Sequence, residues 1–187
     1  MAGPTAKTFH WQIEHWATPT EFRRHLANHA PAVCGWVDRV VLHHTVRPLA
    51  TEWRGRRSME ALARYYRDTM KWPSGPHLFI VHGAPNWLNN GIWQGTPMHL
   101  PGTHAGACNA RSIGIEICGN FDDHAWPPLL ENLVVDTVAS FLAWRCLPAE
   151  RVAGHRDCNS PKSCPGRAIN LTTVRELVRR RIPEVLR

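Results

Sequence analysis

The sequence predicts an α/β fold, a single domain in which a central mixed β-sheet is flanked by α-helices. Two observations carry that expectation. Three apolar runs, residues 36–43, 76–83 and 112–118, are rich in Val, Leu and Ile and too short for typical helices, so they read as buried strands. Around them lie segments with apolar residues at helical spacing. The clearest is Leu129 to Cys146, with Leu130, Leu133, Val134, Thr137, Val138, Phe141 and Leu142 on one side. Strands mixed with helices in 187 residues, 43% of them apolar, point to one sheet covered by helices around one core.

The elements follow in chain order. Thr18-Pro19-Thr20-Glu21 has the form of a capping box with Pro at the first helical position, so a short helix through Phe22, Leu26 and Ala27 should end before Pro31. Residues 36 to 43 are the first strand, and Thr51 to Arg57 is a basic, polar loop. Ser58 can cap a helix whose apolar face is Met59, Leu62, Tyr66 and Met70. Pro76 to Gly83 is the second strand, and Asn89-Asn90-Gly91 turns into a third, making a hairpin. Ser112 to Cys118 is a further strand with one carboxylate, Glu116, in its middle. The chain closes with a helix capped by Thr172 or Thr173 and running through Val174, Leu177 and Val178. No repeat, low-complexity segment or linker divides the chain. Residues 1–187 are expected to form one unit: an N-terminal extension with a short helix (1–35), a catalytic core (36–170) and a C-terminal helix (171–187).

Lys and Arg outnumber Asp and Glu by 22 to 15, a formal net charge of +7. That suits an anionic partner, whether nucleic acid, membrane surface or bacterial wall, and it equally serves solubility. No helix-turn-helix, zinc-finger or RNA-binding signature accompanies the charge, which sets nucleic acid aside. No apolar run is long enough to insert in a membrane, and Met1 to Lys7 lacks a signal-peptide pattern, so synthesis in the cytoplasm is expected. The six Cys have no framework spacing and read as small buried hydrophobes of a reducing compartment, Cys164 excepted; a disulfide through Cys158 stays open. Trp53, Trp72, Trp87, Trp93 and Trp126 fall in or near loops, where aromatic faces suit sugar rings and peptides or plain rim packing. Arg175, Arg179, Arg180 and Arg181 on the last helix read either as an end that adheres to an anionic surface or as a solvated face.

The chemistry concentrates between His155 and Gly166. This Pro-stiffened stretch holds an imidazole, the Lys162 ammonium and the Cys164 sulfur. Upstream, Val40-Val41-Leu42-His43-His44-Thr45 ends a strand in two histidines. One strand His with His155 and Cys164 gives an N, N, S donor set that suits Zn2+ with a fourth position left for water, a catalytic arrangement. Neighbouring strand side chains point to opposite faces, so His44 is expected to pack or to support from behind. Cys158 as a fourth ligand would instead close the site.

Leu42-His43-His44-Thr45, His104-Ala105-Gly106 with Asn109, Ser112-Ile113-Gly114-Ile115-Glu116, Gly154-His155-Arg156-Asp157 and Pro161-Lys162-Ser163-Cys164-Pro165-Gly166 form an ordered set. In that set the chain resembles the zinc-dependent N-acetylmuramoyl-L-alanine amidases of the type 2 group. These include phage endolysins, the peptidoglycan-recycling amidase and the peptidoglycan recognition proteins. The resemblance spans roughly residues 36 to 170. It implies a mixed sheet with zinc in a groove at one edge, metal ligands His43, His155 and Cys164, and a catalytic Glu116 and Lys162. His104 and Asn109 are either groove-wall groups that hold substrate or hydrogen bonders that fix a loop, and His77 sits near the groove by analogy. Many members carry a catalytic Tyr where this chain has Pro76, so the phenol's role must pass to Glu116, His77 or another group.

The chemistry also stands without the family. Amides resist water; zinc brings the pKa of a bound water to ~7 and polarises the carbonyl. Glu116 is the candidate base that moves the water's proton to the leaving amine, unless it is a salt-bridged core residue. Lys162 can offer fixed positive charge to the oxyanion. Taken with the resemblance, which alone implies the substrate, the expected protein is a monomeric peptidoglycan hydrolase that cleaves between N-acetylmuramic acid and L-alanine. It is expected to be a phage or prophage endolysin, made in the cytoplasm and acting on the wall after release. The rivals are a cytoplasmic amidase acting on soluble muropeptides and a non-catalytic peptidoglycan-binding module.

Overall fold

The computed structural model describes residues 8–158 and 162–187; Met1–Lys7 and the segment 159–161, with Pro161 that was expected to stiffen the loop, lie outside the described residues. Six strands form one mixed sheet: β1 (Glu14–Trp16), β2 (Arg39–His44), β3 (Leu78–Val81), β4 (Gly91–Gln94), β5 (Ser112–Ile117) and β6 (Val152–Gly154), in spatial order β1-β4-β3-β5-β2-β6. β2 runs parallel between β5 and β6, and β3 runs parallel to β5. β3 and β4 form the hairpin read from the sequence, and β1 adds antiparallel at the edge.

Alternation along the strands sorts side chains between two faces. Val40, Leu42, Leu78, Ile80, Ile113, Ile115 and Ile117 enter the larger core. There they meet Phe22 of α1 (Pro19–Ala27), Val134, Val138 and Phe141 of α3 (Pro128–Trp144), and Val174 and Val178 of α5 (Leu171–Val185). On the other face Phe79, Val81 and Trp93 pack with Trp53, Tyr66 and Met59, the last from α2 (Arg56–Arg64). His43 and Glu116 fall out of phase with the first set. They are cross-strand neighbours in register, and Phe79 pairs with Glu116 on the other side. Both functional candidates thus stand on the α2 face of the sheet.

Several elements differ from the sequence reading, each for a local reason. α2 starts at Arg56 because Gly55, at φ 62°, turns the chain into the helix; Ser58 instead accepts a hydrogen bond from the Arg54 N–H at 2.8 Å. The same helix widens into a π-turn over Tyr65–Thr69 rather than continuing regularly to Met70. α5 is capped by Asn170, whose side chain accepts from the N–H groups of Thr172 and Thr173. The N-terminal extension contributes β1 to the sheet, and the expected zinc loop opens with β6 and a short helix, α4 (His155–Cys158). Cys108 and Cys158 form a disulfide, with Cα atoms 5.9 Å apart. This removes Cys158 from metal ligation. Among the candidate groove tryptophans, Trp53, Trp93 and Trp126 are buried, while Trp87 is exposed. Among the described residues no helix is long and apolar enough to cross a membrane.

Candidate metal centre

His43 is presented by β2, a strand hydrogen-bonded on both sides, so its position follows from the sheet. His155 opens α4 directly after β6, and Cys164 returns on the following loop. One ligand atom from each of His43, His155 and Cys164 lies within 4.8 Å of the others. His43 Nδ1 is 4.0 Å from Cys164 Sγ, and the His43 and His155 rings are 4.6 Å apart. Two imidazole nitrogens and a sulfur converging at this spacing fit a zinc ion, which such mixed N/S sets favour. Burial and the neighbouring imidazoles hold His43 well below the usual histidine pKa, and burial followed by Lys162 lowers His155, so both rings offer lone pairs. Burial pushes the Cys164 thiol up to about 12, with the Glu116 carboxylate adding to the rise. A cation at the site would reverse that balance in favour of thiolate. The backbone N–H of His44 points at Cys164 Sγ from 3.2 Å, a donor suited to a thiolate.

Glu116 sits beside this triad. Its Oε1 is 4.0 Å from His43 Nδ1, and its Oε2 is buried with no hydrogen-bond partner among the described residues. Burial raises its pKa to about 8. Among the described residues no arginine or lysine pairs with it; the contact it makes is with His43, not with a salt-bridge partner in the core. A carboxyl left unpaired at this depth costs stability unless a ligand meets it. Lys162 is exposed at the rim of the cleft, which holds about 460 Å³ and is also lined by Tyr65, Tyr66, Trp72 and Pro76. A second, more apolar limb of about 630 Å³ shares Tyr65, Tyr66 and Glu116 and runs along α2 toward Arg47.

The three residues read as substrate contacts turn their polar atoms inward. His77 is fully buried; its Nδ1 accepts from the Gly114 N–H and its Nε2 donates to Leu100 O, each at 3.0 Å. It has no nitrogen left for a ligand, which corrects its place on the groove wall. Asn109 Oδ1 accepts from the N–H groups of His104 and Ala105, fixing that turn. His104 reaches the cleft wall, but its ring bonds to His43 and to Ser112. Tyr66 was read only as a core residue. Its ring stacks on Trp72 at 5.4 Å while the residue lines both limbs of the cleft. Nothing in its helical spacing distinguished it from Met59.

The loop side of the site is stapled to its surroundings. The Arg156 guanidinium donates to the carbonyls of Ser163, Gly166 and Ile169, and its backbone N–H donates to Cys164 O. Asp157 accepts from the Gly154 N–H and pairs with Arg175. Gly166, at φ 121°, lets the chain pass Phe121 where any Cβ would lie 2.2 Å from a carbonyl oxygen.

Residues 34–167 match the family described as N-acetylmuramoyl-L-alanine amidase (Amidase_2), and the chain belongs to this type 2 amidase and peptidoglycan recognition protein family. The chain is 30% identical over 86 residues to peptidoglycan-recognition protein 1 of Holotrichia diomphalia, 46% of this chain and 41% of that one. It is 25% identical over 104 residues to peptidoglycan-recognition protein SC1a/b of Drosophila simulans, 55% of this chain and 52% of that one. It thus spans about half the length of these curated relatives. Among solved structures it shares its fold with the endolysin N-acetylmuramoyl-L-alanine amidase LysCS of Clostridium intestinale. The TM-score is 0.58 at 21% identity, over 75% of this chain and 82% of that one. Drosophila PGRP-LB superposes with a TM-score of 0.59 at 20% identity, over 84% of this chain and 81% of that one.

Proposed function

We propose that the protein is a zinc-dependent N-acetylmuramoyl-L-alanine amidase acting on peptidoglycan as an endolysin. The observation that carries this reading is the buried Glu116 carboxyl, its Oε2 without a partner among the described residues, beside three convergent donors, His43, His155 and Cys164, in a member of the amidase family. When bound, zinc supplies Lewis acidity toward the scissile carbonyl and makes water acidic near neutral pH. The chain's own groups do the rest. Glu116, ionised once a cation held by the triad offsets the effect of burial, would take a proton from the attacking water on Oε2, which has no hydrogen-bond partner among the described residues, and deliver it to the leaving nitrogen. The products are a lactyl carboxylate and a free L-alanine amine. Lys162, at the rim, sets its ammonium against the negative charge that develops on the carbonyl oxygen. The net charge of +7 suits an anionic polymer better than small muropeptides, which favours the lytic over the recycling role.

Mass spectrometry of purified sacculi after incubation, with and without a zinc chelator, tests the reading. Stem peptides beginning at L-alanine, absent with chelator, are expected. Binding without cleavage in both samples would shift the assignment to a recognition module, for which Pro76 at the cleft wall would be the first residue to examine. Glu116→Gln is expected to keep zinc and to lose about 10²–10⁴ in kcat; normal turnover would remove Glu116 from the reaction.

A further inference from the structure

We infer that Ser112 sets the tautomer of His43 through His104, leaving His43 Nδ1 unprotonated toward the metal cleft. The purpose of that lone pair rests on the proposed zinc site; the tautomer itself does not. His104 Nε2 lies 3.4 Å from the Ser112 carbonyl oxygen and 3.4 Å from the Ser112 hydroxyl. A carbonyl can only accept. The hydroxyl donates its own proton to Cys108 O at 2.6 Å, so it too faces His104 as an acceptor. Nε2 of His104 therefore carries the proton. A neutral imidazole has one N–H, which makes His104 Nδ1 an acceptor. That nitrogen is 3.1 Å from His43 Nε2, which is then the donor. The remaining nitrogen of His43, Nδ1, is the one turned to Cys164 Sγ.

The ring of His104 fits this place because residue 114 of β5 is glycine: a Cβ there would lie 2.4 Å from His104 Cγ. His104 thus acts as a positioning residue. Its nitrogens serve His43 rather than a substrate, and a partner of this kind fixes both ring orientation and tautomer of a metal-binding His.

The test uses the full chain with ¹⁵N-labelled histidine. Long-range ¹H–¹⁵N spectra of the zinc-free wild type should show His43 as the Nε2–H tautomer; an Nδ1–H form overturns the inference. His104→Leu should lose that preference and bind zinc about tenfold more weakly in chelator competition. His104→Asn, whose Oδ1 can accept near the lost Nδ1, should restore affinity to within about threefold. It also guards against a Leu variant that fails to fold. Wild-type affinity in a folded His104→Leu protein overturns the relay. A wild type with the Nε2–H tautomer that takes up no zinc leaves the relay standing and sinks the metal reading alone.

Discussion

His43 and Glu116 stand on β2 and β5, strands paired over six residues, whereas His155 and Cys164 hang from a four-residue helix and a loop. The strand side is placed by the fold: to move His43 is to move the centre of a parallel sheet. The loop side has no such lattice. It is held by point attachments, namely the Cys108–Cys158 disulfide, the three carbonyls around Arg156, and Asp157 between Gly154 and Arg175. A metal ion across both sides would join a rigid half to a tethered one. A substitution that loosens the packing behind the strand side should therefore cost stability and leave zinc affinity unchanged, whereas one that frees the loop side should cost metal retention as well as stability.

The largest effect tests the triad itself. Cys164→Ala should abolish stoichiometric zinc binding, read by elemental analysis, and lower activity at least ~10³-fold, because a two-nitrogen site lacks the charge and third ligand of the set. Full zinc occupancy in that variant would show that the metal lies elsewhere.

Next come the attachments. The double variant Cys108→Ser/Cys158→Ser should lose about 2–4 kcal/mol in denaturant unfolding, since the bridge closes a long loop. It should also bind zinc about tenfold more weakly, because α4 carries His155. Val40→Ala, deep in β2, is the matching strand-side change: about 2 kcal/mol of stability lost, with zinc affinity of the folded protein unchanged. Equal zinc affinities for all three proteins would erase the distinction between the two sides.

The strand side has its own signature in pH. In zinc-free protein, burial holds the Glu116 carboxyl at about 8 against an ordinary 4.5. The unfolded chain releases that proton first, so the stabilisation is complete below pH 4.5 and fades as pH rises through 8. Glu116→Gln removes this dependence. Its melting temperature relative to wild type should therefore climb between pH 5 and 8, by the equivalent of ~2–4 kcal/mol. A constant difference across that range would mean that Glu116 is not buried in the apo protein.

How much of this was legible beforehand follows the same division. Val40 to His44 and Ile113 to Ile117 announced themselves as strands by apolar density, and the motif order brought His43, Glu116, His155 and Cys164 forward together. β1 and β6 are three residues each and carry too little pattern to register. Cys108 and Cys158 are separated by 50 residues, and no spacing rule pairs them. His104 was legible as a site residue, but not its orientation, because 61 residues separate it from the imidazole it serves. The turn at Gly55 shifted the start of α2 away from Ser58, since a single positive φ outweighs a modest capping preference.

The smallest effect concerns the arginines of α5, read from the sequence as a possible adhesive end. Arg179, Arg180 and Arg181 are each paired with carboxylates, Glu150 and Glu176, Glu176, and Asp136 and Glu184 respectively. Exposed pairs of the Arg179 and Arg180 kind contribute about 0–1 kcal/mol, and their charge is already compensated. Arg175 differs. It donates to Val152 O at 2.8 Å and pairs with Asp157, so it braces β6 and α4 beneath His155. Arg175→Ala should cost about 1 kcal/mol and weaken zinc binding two- to threefold, whereas Arg180→Ala should change neither beyond error. Paired chelator competition on the two variants measures this directly. If they cannot be told apart, Arg175 is a surface charge like its neighbours, and the tether of the loop side ends at Asp157.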